Sequence, residues 1–77
     1  MGKPTRITNS VRALRFAREE MTQADLAQRI GVTRQTIIAI EQGRYSPSLE
    51  VAFQIARVFK VPLDEVFQYP DNSEGGA

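Results

Sequence analysis

The chain has 77 residues, among them 10 lysines and arginines, 9 aspartates and glutamates, no histidine and no cysteine. This length predicts one domain, near the lower size limit for a core that folds without disulfides or a structural metal. The lack of cysteine excludes disulfides and thiolate metal sites, and the lack of histidine removes the commonest general base and nitrogen metal ligand.

The charges are distributed unevenly, although the formal net charge is only +1. Residues 1–60 contain all 10 basic residues and 5 acidic ones, whereas residues 61–77 contain 4 acidic residues and no basic one. A basic body with an acidic C-terminal end is consistent with a single DNA-facing surface. No apolar run approaches the ~20 residues of a membrane span, and the N-terminus lacks the apolar core of a signal peptide. We therefore expect a cytoplasmic protein.

The first predicted helix runs over residues 10–19, after a flexible N-terminal arm over residues 1–6. Val11 and Leu14 recur at helical spacing and form its inner face, which Phe16 or Ala17 would continue. The outer face carries three arginines, Arg12, Arg15 and Arg18.

The second predicted helix begins at Thr22 and ends at a glycine. The Thr22 hydroxyl can accept the backbone N–H of Asp25, and the Asp25 carboxylate can accept that of Thr22, which makes a capping box. Gly31 can adopt the left-handed conformation that ends a helix. The inner face is formed by Leu26, Ala27 and Ile30.

The third predicted helix follows at once. Thr33 is a favoured N-cap, Ile37 and Ile40 face inward, and Gly43 stops the helix. Two short helices joined by a tight glycine turn form a helix-turn-helix, which indicates a sequence-specific binder of double-stranded DNA.

The outer face of this third helix carries the candidate base contacts. In the major groove Arg34 can make a bidentate pair of hydrogen bonds to guanine, and Gln35 can do the same to adenine. The apolar Ile38 and Ala39 can contact a thymine methyl group. Phosphate contacts fix the register of a protein on DNA. We expect them from Gln23, Thr33, Thr36, Gln42, Arg44 and Tyr45.

Two more helices complete the chain. Helix 4 starts at its expected cap Ser48 and runs to about Phe59; most of its residues are apolar, so it should be packed on several sides. Helix 5 begins at Pro62, a favoured first-turn residue. Residues 70–77 are polar and glycine-rich, and we expect a disordered tail. The expected core consists of Val11, Leu14, Leu26, Ile30, Val32, Ile37, Ile40, Leu49, Ala56 and Phe59.

Together these motifs resemble the Cro/CI or XRE-type helix-turn-helix family of lambdoid phage repressors. Caps, glycines and core positions match in order over five helices, across roughly residues 7–69. The matching segments are Thr22-Gln23-Ala24, Leu26-Ala27, Gly31-Val32-Thr33-Arg34-Gln35-Thr36-Ile37, Ile40-Glu41-Gln42-Gly43-Arg44, Pro47-Ser48-Leu49, Ile55-Ala56 and Pro62-Leu63-Asp64-Glu65-Val66-Phe67.

The resemblance implies an all-α, five-helix, lambda-repressor-like DNA-binding domain over residues 7–69. It strengthens the expectation that Gln23 meets a phosphate at the first turn of helix 2, and it implies a salt bridge between Arg15 and Glu41. The chain departs from the family pattern at one point. It has one residue more between Arg15 and Thr22, and Arg18-Glu19-Glu20 stands where the family usually has a glycine.

We further expect a symmetric homodimer joined through helix 5 and the residues after it. One recognition helix is a weak basis for specific binding, and two linked copies would multiply the affinity. Helix 5 carries more apolar area than one helical turn can bury, and such surplus area often marks an association site. The segment near Arg6, Ile7 and Thr8 could pair as a short strand with the Gln68–Tyr69 region. The candidate interface residues are Leu63, Val66, Phe67 and Tyr69.

The functional prediction is a dimeric transcriptional regulator, expected to repress, on a palindromic operator. One alternative is the DNA-binding antitoxin of a toxin–antitoxin pair, and another is a helix-turn-helix used only for protein interaction. The polar outer face of helix 3 favours DNA over the latter, and the short tail without an amphipathic pattern favours the autonomous regulator over the antitoxin. No enzyme, cofactor, metal or small-molecule ligand is expected, because neither an activated nucleophile nor paired acids can be identified.

Overall fold

The computed structural model describes residues 5–70, so residues 1–4 of the predicted arm (residues 1–6) and residues 71–77 of the predicted tail (residues 70–77) lie outside the described part. No helix within residues 5–70 is long and apolar enough to cross a membrane. The fold is all-α apart from one short β-ribbon. Its elements are β1 Thr8–Asn9, α1 Val11–Ala17, α2 Gln23–Ile30, α3 Arg34–Glu41, α4 Leu49–Phe59, α5 Leu63–Val66 and β2 Phe67–Gln68.

Local capping residues set the starts of α2, α3 and α4 as the sequence predicts. Thr22 Oγ1 accepts the Asp25 N–H at 2.9 Å, and Asp25 Oδ2 accepts the Thr22 N–H at 3.4 Å, which completes the capping box. Thr33 Oγ1 accepts the Thr36 N–H at 3.2 Å, and Ser48 caps α4 in the same way. Each cap satisfies a backbone donor that has no partner within its own helix.

Glycine ends two of these helices by adopting the left-handed conformation. Gly31 has a φ of 77° after α2, and Gly43 has a φ of 74° after α3. A residue with a Cβ atom would be strained at either position. The turn between α2 and α3 is therefore fixed by a glycine on one side and by the Thr33 cap on the other.

Helix α1 is shorter than predicted at both ends. The side chain of Ser10 makes no capping bond, and Asn9 takes over that role. Asn9 Oδ1 accepts the Val11 N–H at 3.1 Å, while Asn9 Nδ2 donates to the carbonyl oxygen of Ile40 at 2.9 Å. One asparagine thus ties the start of α1 to the end of α3.

The core lies where α2 packs against α3 and α4, with α1 and α5 closing it. Most of the predicted core is confirmed, although Leu14 and Val32 are only partly buried against it. Four core residues were missing from the predicted list, namely Met21, Ala27, Ile55 and Val66. The buried cluster consists of Val11, Met21, Leu26, Ala27, Ile30, Ile37, Ile40, Ile55, Ala56, Phe59 and Val66.

The prediction that Leu49 belongs to the core is wrong, because this residue is 68% exposed. Leu49 is the first residue of α4, and helical side chains lean towards the N-terminus of their helix. Its side chain therefore passes beyond the end of the core and lies beside Pro47. The inner face of α4 is formed instead by Ala52, Ile55, Ala56 and Phe59.

A strand pairing close to the predicted one is present within one chain, although Arg6, Ile7 and Tyr69 lie outside the paired strands. Strands β1 and β2 are antiparallel, with Thr8 opposite Gln68 and Asn9 opposite Phe67. Helix α5 begins one residue later than predicted, since Pro62 is its N-cap. Upstream of β1, the backbone N–H of Thr5 donates to the carbonyl oxygen of Gly43 at 3.2 Å. The start of the described chain therefore lies against the end of α3.

Candidate nucleic-acid interface

The outer side of α3 presents polar groups to solvent at its N-terminal end. Arg34 and Gln35 are exposed, whereas Ile38 and Ala39 are half-buried. The buried Ile37 and Ile40 hold the opposite side of the helix in the core. The four residues predicted to touch bases therefore lie on the side of a firmly anchored helix that faces away from the core.

The residues predicted to touch phosphates surround this helix. Gln23 opens α2 and lines the same surface notch as Arg34 and Gln42. The hydroxyls of Thr33 and Thr36 are 3.0 Å apart at the start of α3. Two further exposed candidates follow the end of α3, namely Arg44 and Tyr45.

A buried ion pair joins the helices behind this surface. Arg15 Nε donates to Glu41 Oε2 at 2.6 Å, and a second guanidinium nitrogen donates to Glu41 Oε1 at 3.1 Å. Both side chains are only 8% exposed. Gln23 Nε2 also donates to Glu41 Oε1 at 3.1 Å, and the third Arg15 nitrogen donates to the Met21 carbonyl oxygen at 2.8 Å. The network fixes the start of α2 relative to the end of α3.

The position of Arg15 corrects the interpretation from helical periodicity, which placed it on the outer face of α1. Arg15 follows Val11 by four residues, so both side chains lie on the inner side of the helix. An arginine can be buried there because Glu41 and the Met21 carbonyl satisfy its charge and three of its donors. The salt bridge implied by the family resemblance is present.

The loop between α1 and α2, where the sequence departs from the expected family pattern, has an unusual backbone. Glu19 and Glu20 have φ values of 61° and 59°, so two consecutive non-glycine residues are left-handed. Such conformations cost free energy and persist only where the surroundings hold them. Here the Met21 N–H donates to the Arg15 carbonyl oxygen at 2.9 Å. The loop is thus tied back to α1 immediately before α2 begins, and the Arg15–Glu41 pair is present.

A second surface, at α5 and β2, is apolar. Ile7, Leu63, Phe67 and Tyr69 line a hollow of about 420 Å³, and Tyr69 is 68% exposed. An adjoining hollow of about 320 Å³ shares three of these residues and adds Pro47, Leu49 and Ala52. We call the surface formed by these two hollows the apolar face.

One candidate for the dimer interface does not belong to the apolar face. Val66 is completely buried within its own chain, because it is the residue of α5 that points into the core. It therefore has no surface to offer a partner. The other three candidates, Leu63, Phe67 and Tyr69, line the apolar face.

Comparison with known proteins decides the family. The family model described as "Helix-turn-helix" matches residues 14–66, from α1 to the end of α5. The chain belongs to the Cro/CI-type helix-turn-helix family. Members of this family are DNA-binding transcriptional regulators.

Relatives of this helix-turn-helix protein occur in archaea and in a bacterial phage. An uncharacterized HTH-type transcriptional regulator of Methanocaldococcus jannaschii is 54% identical over 56 residues, which are 73% of this chain and 85% of that protein. The cryptic phage CTXphi transcriptional repressor RstR of Vibrio cholerae is 36% identical over 59 residues, 77% of this chain and 52% of that protein. The crystal structure of a candidate DNA-binding protein from Bacteroides fragilis matches the fold with a TM-score of 0.70 at 21% identity, over 80% of this chain and 98% of that one.

Two residues of α1 beside the helix-turn-helix were not among the predicted contacts. Arg12 and Phe16 line the same notch as Gln23 and Arg34. Phe16 was a candidate for the inner face, but it is 52% exposed, and Ala17 is exposed as well. The only sequence signal for a role of Phe16 at this surface was a large aromatic residue next to Arg15. Helical periodicity alone does not show whether Phe16 lies on the inner or the outer face of α1.

The groups on this helix-turn-helix surface are guanidinium, amide and hydroxyl groups. Such groups bind phosphate oxygens and base edges. Within residues 5–70, no three His, Cys, Asp or Glu side chains are grouped as a metal site would require. The chemistry that these residues support is hydrogen bonding and charge pairing with nucleic acid.

Proposed function

We propose that this protein is a sequence-specific transcriptional repressor that binds a palindromic operator as a homodimer. The observation that carries the proposal is the outer side of α3, where Arg34 and Gln35 are exposed just after the capped turn. A recognition helix reads the major groove with the residues of its N-terminal end. In this proposal Arg34 and Gln35 discriminate bases, and Ile38 and Ala39 make apolar contacts.

The phosphate contacts come from both ends of the helix-turn-helix. Gln23 and Thr33 belong to the helix starts, where backbone N–H groups and the helix dipole favour an anion. Gln42, Arg44 and Tyr45 flank the other end of α3. These groups hold the protein in register on either side of the groove. Thr36 contacts the same phosphate region as the neighbouring Thr33 hydroxyl.

The apolar face supports association with a second copy. One domain supplies one recognition helix, a module that buries roughly 600–1,000 Å² on DNA. Leu63, Phe67 and Tyr69 leave apolar area exposed at the end of the chain that carries Asp64 and Glu65. Those carboxylates would be repelled by phosphates, so this end suits a protein partner and the basic end suits DNA.

The expected sign of regulation is repression. Among the relatives, the RstR protein is a transcriptional repressor, and it is similar to this chain over 59 residues. Blocking access of other proteins to the operator needs no further surface, so repression is the simplest outcome.

Two substitutions test which residues contact bases and which contact phosphates. Gln35→Ala should weaken operator binding by about 1–3 kcal/mol and leave random DNA nearly unaffected, because only the base contact is lost. Arg44→Ala should weaken both DNAs alike and lower the salt slope by about 1, because a phosphate contact is lost. Fluorescence anisotropy titrations on both duplexes at several salt concentrations measure these changes.

The two variants serve as controls for each other, since both residues are exposed and neither contributes to the core. Equal losses on operator and random DNA for Gln35→Ala would remove this residue from the base contacts. Absence of binding by the wild-type protein to either duplex would contradict the proposed function itself.

A further inference from the structure

A notch opens between α1 and the helix-turn-helix, beside the outer side of α3. Its volume is about 510 Å³, and Arg12 and Phe16 line it from α1, Gln23 from α2 and Arg34 from α3. We call this space the α1 notch. Two of its four named residues already belong to the proposed DNA interface, so whatever fills the notch lies next to bound DNA.

Phe16 stands between two arginines at this notch. Its ring centroid lies 5.5 Å from the Arg12 guanidinium carbon and 5.4 Å from that of Arg15. A cation is attracted to the face of an aromatic ring at such distances. Because about half of Phe16 remains exposed, core packing alone does not account for it. The ring instead holds the long side chain of Arg12 at the edge of the notch.

The charge at the notch is positive. Arg15 is neutralised by Glu41 through the 2.6 Å contact. That contact is the sole ion pair within residues 5–70, so Arg12 and Arg34 have no carboxylate partner in the described chain. Two unpaired guanidinium groups facing one space suit an anion, and a planar guanidinium binds phosphate oxygens well.

We propose that Arg12, oriented by Phe16, binds a backbone phosphate of the DNA duplex, which extends the interface from the helix-turn-helix onto α1. The proposal rests on the proposed DNA-binding function. Arg12 is a phosphate-binding residue, and Phe16 is a positioning residue that acts through it. A phosphate at this position flanks the groove occupied by α3, so it belongs to the same duplex that Arg34 and Gln35 contact.

The salt dependence of binding tests the role of Arg12. A random-sequence 20-base-pair duplex is titrated at 50 and 200 mM salt with the wild type and with Arg12→Ala. Loss of one phosphate contact lowers the slope of log K against log salt by about 0.9. The loss of affinity caused by the substitution should therefore be about threefold to fourfold larger at 50 mM than at 200 mM salt, by the same relation.

Arg57→Ala is the matched control, because Arg57 is an exposed arginine of α4 that does not line the notch. It removes the same charge and should leave the slope within error of the wild type. Phe16→Leu should weaken binding in the wild-type background and have no effect when Arg12 is already alanine. That dependence separates positioning of Arg12 from an effect on the fold.

Equal slopes for Arg12→Ala and Arg57→Ala, with the wild type binding DNA normally, would overturn this inference and leave the proposed function intact. An effect of Phe16→Leu that persists in the Arg12→Ala background would overturn the role assigned to Phe16. If the wild type does not bind the duplex at either salt concentration, the proposed function fails and the inference fails with it.

Discussion

Glu41→Ala is expected to lower the free energy of unfolding by about 3–5 kcal/mol, because it leaves the Arg15 guanidinium buried without a counter-charge. Both side chains of the pair are more than nine-tenths buried, so water compensates poorly for the lost carboxylate. Gln23 loses its hydrogen-bond acceptor in the same substitution. A small domain has only about 5–15 kcal/mol of total stability, so the variant should be severely destabilised.

Urea denaturation monitored by circular dichroism measures this loss. The control is Arg15→Met combined with Glu41→Leu, which removes both charges and keeps apolar volume. This double variant should lose less stability than Glu41→Ala alone, because replacing a buried pair by apolar residues is often neutral. A Glu41→Ala variant within about 1 kcal/mol of the wild type would show that the pair does not stabilise the fold.

Tyr69→Asp is expected to convert a dimer into a monomer and to reduce operator affinity by roughly 10²–10⁴-fold, the gain that joining two binding modules gives. Tyr69 is the most exposed hydrophobic residue of the hollow at α5 and β2, whereas Phe67 packs partly against the core. An aspartate at position 69 therefore places a charge in the interface at little cost to the fold. Binding to a single half-site should change much less.

Tyr69→Phe is the matched control, because it keeps the ring and should remain dimeric. Light scattering at micromolar concentration gives the mass of each variant. A monomeric wild type that also binds its operator as one protein per site would end the dimer proposal. A Tyr69→Asp variant that remains dimeric would place the interface elsewhere on the surface.

The features that sequence predicts well here are local. The capping threonines Thr22 and Thr33, the cap Ser48 and the glycine Gly31 act on backbone groups within four residues of themselves. Their effect is therefore contained in the segment that carries them. Helices α2 and α4 consequently begin and end where expected, and the outer side of α3 carries the expected residues.

The features that sequence predicts poorly depend on distant partners. The burial of Arg15 requires a carboxylate 26 residues later in the chain, and the short start of α1 depends on Asn9 reaching the end of α3. Leu49 has the spacing of a core residue but lies where the core ends. Helical periodicity describes one element at a time, so it cannot predict which side chains of another element will lie next to a given residue.

The loop before α2 combines a local feature of the backbone with contacts to distant residues. Sequence locates the departure from the family pattern near Glu19 and Glu20 but cannot say what it does to the fold. In the structure these two residues are left-handed, and the hydrogen bonds of Arg15 to Met21 and Glu41 connect α1 to the start of α2 and the end of α3. Gln23 therefore remains beside α3, where the proposed DNA interface needs it.

Selection of bound sequences from a pool of random duplex DNA reports the sequence preference of the protein and the symmetry of its site together. We expect strong enrichment of a palindrome whose two half-sites are centred about one helical turn, 10–10.5 base pairs, apart. A pool indistinguishable from the starting material would contradict sequence-specific binding. Enrichment of one unrepeated half-site would contradict the symmetric dimer.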